Sequence, residues 1–152
     1  MKRRPTFGAA LIAGIFGVTL SVQDAVAQST TDEMYQLVQV DGSDLPAVFE
    51  EDGQCREEIV SGTLTLAADG TWSLDILERD VCGDRIDEGR EREDGRYTVA
   101  GDEITFLDED GDPEDTDENK RPDIDDLVSG TRDGDTLTVL LDDGRTQLVF
   151  RR

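Results

Sequence analysis

The stretch Gly62 to Ile76, GTLTLAADGTWSLDI, alternates apolar and polar residues on both sides of Asp69-Gly70. Successive side chains of a strand point to opposite faces, so Val60, Leu64 and Leu66 are read on one face and Thr63 and Thr65 on the other. After the turn, Trp72, Leu74 and Ile76 line one face and Thr71, Ser73 and Asp75 the opposite one. Asp-Gly between two such runs marks a hairpin, because glycine takes the positive φ that tight hairpin turns demand. The scheme recurs in GRYTVAGDEITFLD, where Tyr97 and Val99 precede Gly101-Asp102 and Ile104 and Phe106 follow. It recurs again in GDTLTVLLDDGRTQLVFRR, where Leu137, Val139 and Leu141 lead to Asp143-Gly144 and then to Leu148 and Phe150. No segment after residue 27 sustains a helical period. The chain is therefore read as all-β, an antiparallel meander of about eight strands, each about five to seven residues long, closing as a small barrel with a β-sandwich as the alternative. Strands of that length with Thr, Arg and Asp outward do not fit an outer-membrane barrel, whose strands need about 9 to 11 residues and an apolar outer face.

The first residues carry Lys2, Arg3 and Arg4, an apolar run from Phe7 to about Leu20, and the small-x-small triplet Ala25-Val26-Ala27. That order is the pattern of a secretory signal peptide over residues 1–27, and the apolar run is too short for the roughly 20 residues of a membrane span. Residues 28–152 are then expected to be a single β domain, periplasmic or extracellular, with no membrane insertion after cleavage. Two cysteines, Cys55 and Cys82, remain in that domain, and an even count in an exported chain points to a disulfide. Closing that loop is worth roughly 3 to 4 kcal/mol in the chain-entropy model.

Taking Asp24, Lys2, Arg3 and Arg4 out of the totals of 37 acidic and 15 basic residues leaves 36 against 12, a net of −24. Such a chain repels nucleic acid and anionic lipid, and no nucleic-acid partner is expected. Lys120 is the one lysine after residue 27, and Asp far outnumbers Glu. An acidic, lysine-poor surface of this kind suits saline surroundings, where salt screens the self-repulsion.

The segments YQLVQVDGSDLP (Tyr35 to Pro46), SGTLTLAADGTWSL, GRYTV and the closing DTLTVLLDDGRTQLVFRR resemble small secreted bacterial proteins of the lipocalin-like, calycin-type kind, over nearly all of the chain after residue 27. The resemblance implies an up-and-down barrel. Lipocalins carry Gly-x-Trp on the first strand, whereas this chain has Tyr35 there and its single Trp, Trp72, in a later hairpin. No binding residue is carried over, and Trp72, Tyr97, Phe106 and Phe150 are read as packing side chains.

The chain has no His, which removes Ser-His-Asp and Cys-His arrangements and His-ligated metals. No carboxylate pair stands out for glycoside chemistry, so no catalytic residue is assigned and no enzyme is expected. Calcium is a cofactor that needs only oxygen ligands. The acidic run Asp108 to Asp126 offers Asp108, Asp110, Asp112, Asp115 and Asp117 as candidate ligands. Pro113 stands where a calcium loop needs Gly and Asn119 where it needs a bidentate Glu, so 108–126 is read as a solvated acidic loop with weak calcium affinity at most, and no other cofactor is expected. The polar stretch ERDVCGDRIDEGREREDG, Glu78 to Gly95, is read as a second loop. The function expected is that of a non-catalytic exported β-barrel module with a binding or structural role in the cell envelope or outside the cell. Its alternatives are a calcium-dependent interaction protein and a small enzyme inhibitor presenting loop 78–95. The expected partner is a small apolar ligand or a protein, and the expected state a monomer.

Overall fold

The structure, a computed structural model, describes residues 31–107, 126–142 and 144–152. They form β1 (Glu33–Val40), β2 (Ser43–Asp44), β3 (Ala47–Asp52), β4 (Cys55–Leu66), β5 (Thr71–Cys82), β6 (Arg85–Ala100), β7 (Glu103–Leu107), β8 (Leu127–Asp133), β9 (Thr136–Leu141) and β10 (Gln147–Arg151). Every pairing is antiparallel, and eight strands run β1-β10-β9-β8-β7-β6-β5-β4 before β4 returns to β1 through Tyr35 opposite Leu64. That return closes a barrel and removes the sandwich alternative. The barrel form is compatible with a lipocalin-like one. β2 folds back on the end of β1, and β3 takes β1's place beside the first half of β4.

The three hairpins read from sequence are present in the expected register, with Leu66 opposite Trp72, Tyr97 opposite Phe106 and Val139 opposite Leu148. Their apolar faces meet inside the barrel. A ligand chamber leaves free surface on the side chains that line it, yet Tyr35, Ile59, Leu64, Phe106, Leu148 and Phe150 have none (0%). The interior around them is packed, with Trp72 set edge-on against Phe106 at 5.6 Å between ring centres. Each fully buried side chain of this size contributes about 1.5–3 kcal/mol of burial. Glycine at position 95 makes room for that indole, because a Cβ there would meet the Leu107 carbonyl at 2.4 Å and Trp72 Nε1 at 2.8 Å.

One end of the barrel is tied by charge. Tyr35 donates its hydroxyl to Glu33 (2.8 Å), Arg132 reaches the same carboxylate at 2.9 Å and Arg152 at 3.6 Å, and the Arg152 guanidinium lies 5.2 Å from the centre of the Tyr35 ring. Strands β1 and β8 and the chain end are joined there. Burial, reinforced by the hydrogen bond to Glu33, raises the Tyr35 pKa; burial and the nearby Glu33 charge raise that of Tyr97, whose hydroxyl donates to the Ala67 carbonyl.

Three expectations are corrected. Strands of five to seven residues describe β7 to β10, but β4 and β5 have 12 residues and β6 has 16. Val60 does not share the face of Leu64 and Leu66. The ladder shifts between Ile59 and Ser61, which makes Val60 the extra residue of a bulge and leaves Ile59 as the buried side chain. Glu78 to Gly95 is not a loop but the outer part of the β5–β6 hairpin, paired continuously from Glu78 opposite Gly89 to Cys82 opposite Arg85. Its residues lack an apolar face, the usual sign of a strand, because backbone pairing alone continues the ladder out of the barrel. The signal peptide expected at 1–27 and the acidic run lie outside the described residues, except Asp126, whose carbonyl accepts from the Asp142 amide; the flanking strands end at Leu107 and begin at Leu127 as expected.

Candidate functional site: a charged arm

The register of the hairpins defines the element most open to a partner. On β6, Gly95, Tyr97 and Val99 are buried, whereas every residue from Arg85 to Asp94 is exposed. β7 ends at Leu107, opposite Arg96, so it leaves the outer part of β6 behind. Together with the outer parts of β5 and β4 and the strand β3, those residues form a four-stranded ribbon that leaves the barrel wall. The turn at its tip is Gly83-Asp84, with glycine at φ 60° as a two-residue hairpin loop requires.

Counting along the strands sorts the arm's charges by face. The face continuous with the barrel interior carries Glu50, Glu57, Asp80 and Asp87 in one row, each directly opposite the next across β3, β4, β5 and β6. The adjacent row is Asp52, Cys55, Cys82 and Arg85. Like charges directly opposite one another destabilise a sheet. The Cys55–Cys82 disulfide lies in this second row, joining the two residues that face each other across β4 and β5. It confirms the pairing read from cysteine parity and fits an oxidising environment. A pocket of about 100 Å³ on this face is lined by Glu50, Asp52, Cys55, Arg56, Glu57 and Asp80.

The opposite face carries Arg56, Arg79, Arg90 and Arg92. Glu58 accepts from Arg56 Nε at 2.6 Å and from Arg79 Nε at 2.9 Å. These hydrogen bonds, that from Arg56 first, hold the Glu58 carboxyl below its ordinary pKa. Nearer the barrel, Arg90 reaches Asp75 at 2.9 Å. Ile86, at 62% the most exposed large apolar side chain among the described residues, stands on this face beside Val81. A shallow groove of about 330 Å³ at the arm's root is lined by Thr65, Thr71, Trp72, Ser73, Arg92 and Asp94 among others. Asp69 orders the adjoining turn by accepting from the Thr71 hydroxyl and amide, bonds that lower its pKa.

Among the described residues, no three Asp, Glu or Cys side chains converge as metal ligands. The proposed calcium ligands Asp108, Asp110, Asp112, Asp115 and Asp117 lie outside those residues. What the sequence reading missed is the arm's two-faced charge pattern. Its signal was present in the Arg and Glu alternation from Arg85 to Asp94, which spells opposite faces once the stretch is taken as a strand. No family model, curated protein or solved structure matches the chain.

Proposed function

We propose that the chain is a non-catalytic, exported, lipocalin-like barrel module that acts by protein contact through the faces of its arm and not by carrying a ligand inside the barrel. The observation that carries this reading is the arm itself, a disulfide-pinned ribbon with one acidic face and one bearing Arg56, Arg79, Arg90 and Arg92, on a barrel whose interior side chains are buried. A buried core supplies stability, and a rigid exposed element supplies recognition. Outward positions of the barrel such as Ser73, Thr98, Glu103 and Thr105 are polar, which suits a wall facing water. An inhibitor that presents this arm to an enzyme is the narrower form of the same reading, with strands in place of the loop 78–95.

The test places a photo-crosslinking residue at Ile86 on the arm or at Met34 on the barrel wall, which are similarly exposed at 62% and 60%. Irradiation in the cells that make the protein is expected to give a discrete adduct to a different protein, not to a second copy of this chain, from position 86 and none from position 34. Adducts from position 34 alone would sink the arm as the contact element. An apolar fluorescent probe bound at unit stoichiometry near Trp72 would instead support a carrier.

A further inference from the structure

The outer part of β6 pairs with β5 on one side, and among the described residues no backbone group pairs with its other side. An edge of this length with no partner among the described residues is a template for another strand. Edges are normally protected by charges that repel a second copy, and most of this chain, at a net of −22, would do so. Arg85 to Glu93 differs. It holds Arg85, Arg90 and Arg92 against Asp87, Glu88, Glu91 and Glu93, a net of −1.

We propose that two copies of this chain pair edge to edge through β6, antiparallel, about a two-fold axis at Gly89. With the axis there, residues whose numbers add to twice 89 face each other. Glu88 then meets Arg90 of the second copy, Arg85 meets its Glu93, and Ile86 lies over the stem of its Arg92, each contact occurring twice by symmetry. Asp87 opposite Glu91 is the one like-charged pair. Moving the axis by one residue puts Glu88 against Glu88, or Arg90 against Arg90, at the centre. The charge pattern thus selects one register. The space also fits: a side chain at Gly89 would meet nothing within 4 Å, and the paired span runs from the tip turn to two residues short of Gly95, next to the point where β7 takes the edge. This pairing uses the arm's edge and leaves its two faces open, so it stands or falls apart from the proposed protein contact.

Antiparallel partners directly opposite lie about 4.5–5.5 Å apart between Cα atoms, within the reach of a disulfide. Gly89→Cys is therefore expected to give a covalent dimer under mild oxidation with Cys55–Cys82 intact, while Glu88→Cys, Arg90→Cys and a control at Thr98→Cys stay uncrosslinked. In sedimentation equilibrium the unaltered protein should show a concentration-dependent dimer, Glu88→Arg should weaken it at least tenfold, and the exchange Glu88→Arg with Arg90→Glu should restore it. A monomer at every concentration, or crosslinking at 88 or 90 in place of 89, would overturn the proposal.

Discussion

β6 passes through two environments within 16 residues. In the barrel its alternate side chains Tyr97 and Val99 are buried; in the arm Arg85 to Asp94 are all exposed, yet the strand is paired along its whole length, Arg85 to Arg96 with β5 and Arg96 to Ala100 with β7. The barrel is held by burial, the arm by a backbone ladder that the barrel starts and a disulfide finishes. A strand therefore does not need an apolar face when its neighbour already has a fixed register. Each half also answers differently to perturbation.

The largest contrast lies in side-chain truncation. Phe106→Ala removes a ring with no free surface and is expected to cost about 3–5 kcal/mol, read from denaturant unfolding. Ile86→Ala on the arm should stay within about 0.5 kcal/mol of the unaltered protein. Equal losses from the two would erase the distinction. Two glycines of β6 sharpen it. Gly95→Ala forces a Cβ against Leu107 and Trp72 and should cost about 1–3 kcal/mol with a shift in Trp72 emission, as overpacking does. Gly89→Ala meets open space and should be neutral or stabilising by up to about 1 kcal/mol.

The bulge at Val60 explains which features were legible in the sequence. Hairpin registers next to Asp69-Gly70 follow from alternation, and the inward positions of Leu64, Trp72, Tyr97 and Phe150 follow with them. Extending the pairing of Leu66 with Trp72 straight outward, however, puts Cys55 opposite Gly83 and Glu58 opposite Asp80. One extra residue at Val60 moves Cys55 to Cys82 and Glu58 to Arg79. Alternation carries no mark of that insertion, so the Glu58 cluster and the acidic row were hidden, whereas cysteine parity saw the disulfide without any register. Barrel closure was legible only as a class, since the return of β4 to β1 joins segments that no local pattern connects.

Acid should loosen the arm before the barrel. The Glu58 carboxyl has a lowered pKa when folded, so its stabilising contribution is present above the unfolded value near 4.3 and is lost as pH falls through the folded one. The protection of the Arg56 and Arg79 amides against exchange, relative to the unfolded chain at the same pH, should fall below about pH 4 and lose that pH dependence in Glu58→Gln. In base the sign reverses: Tyr35 and Tyr97 have raised pKa values, so stability should fall as pH climbs past about 10, and here the barrel is affected. The smallest effect is that of salt. The Debye length falls from about 10 Å at 0.1 M to about 3 Å at 1 M, and the melting midpoint should rise with sodium chloride as the repulsion among the excess carboxylates is relieved. A flat midpoint would remove self-repulsion as a factor.

Native-state hydrogen exchange, with and without reductant, compares the two regions in one molecule. Amides of Tyr35, Leu64, Phe106 and Phe150 are expected to exchange only through global unfolding. Those from Glu78 to Glu93 should exchange faster through a separate local opening. Reducing Cys55–Cys82 should speed the arm many-fold while the barrel amides keep their order of protection. A single opening free energy shared by arm and barrel, unchanged in pattern by reduction, would contradict a packed barrel bearing an independently held arm.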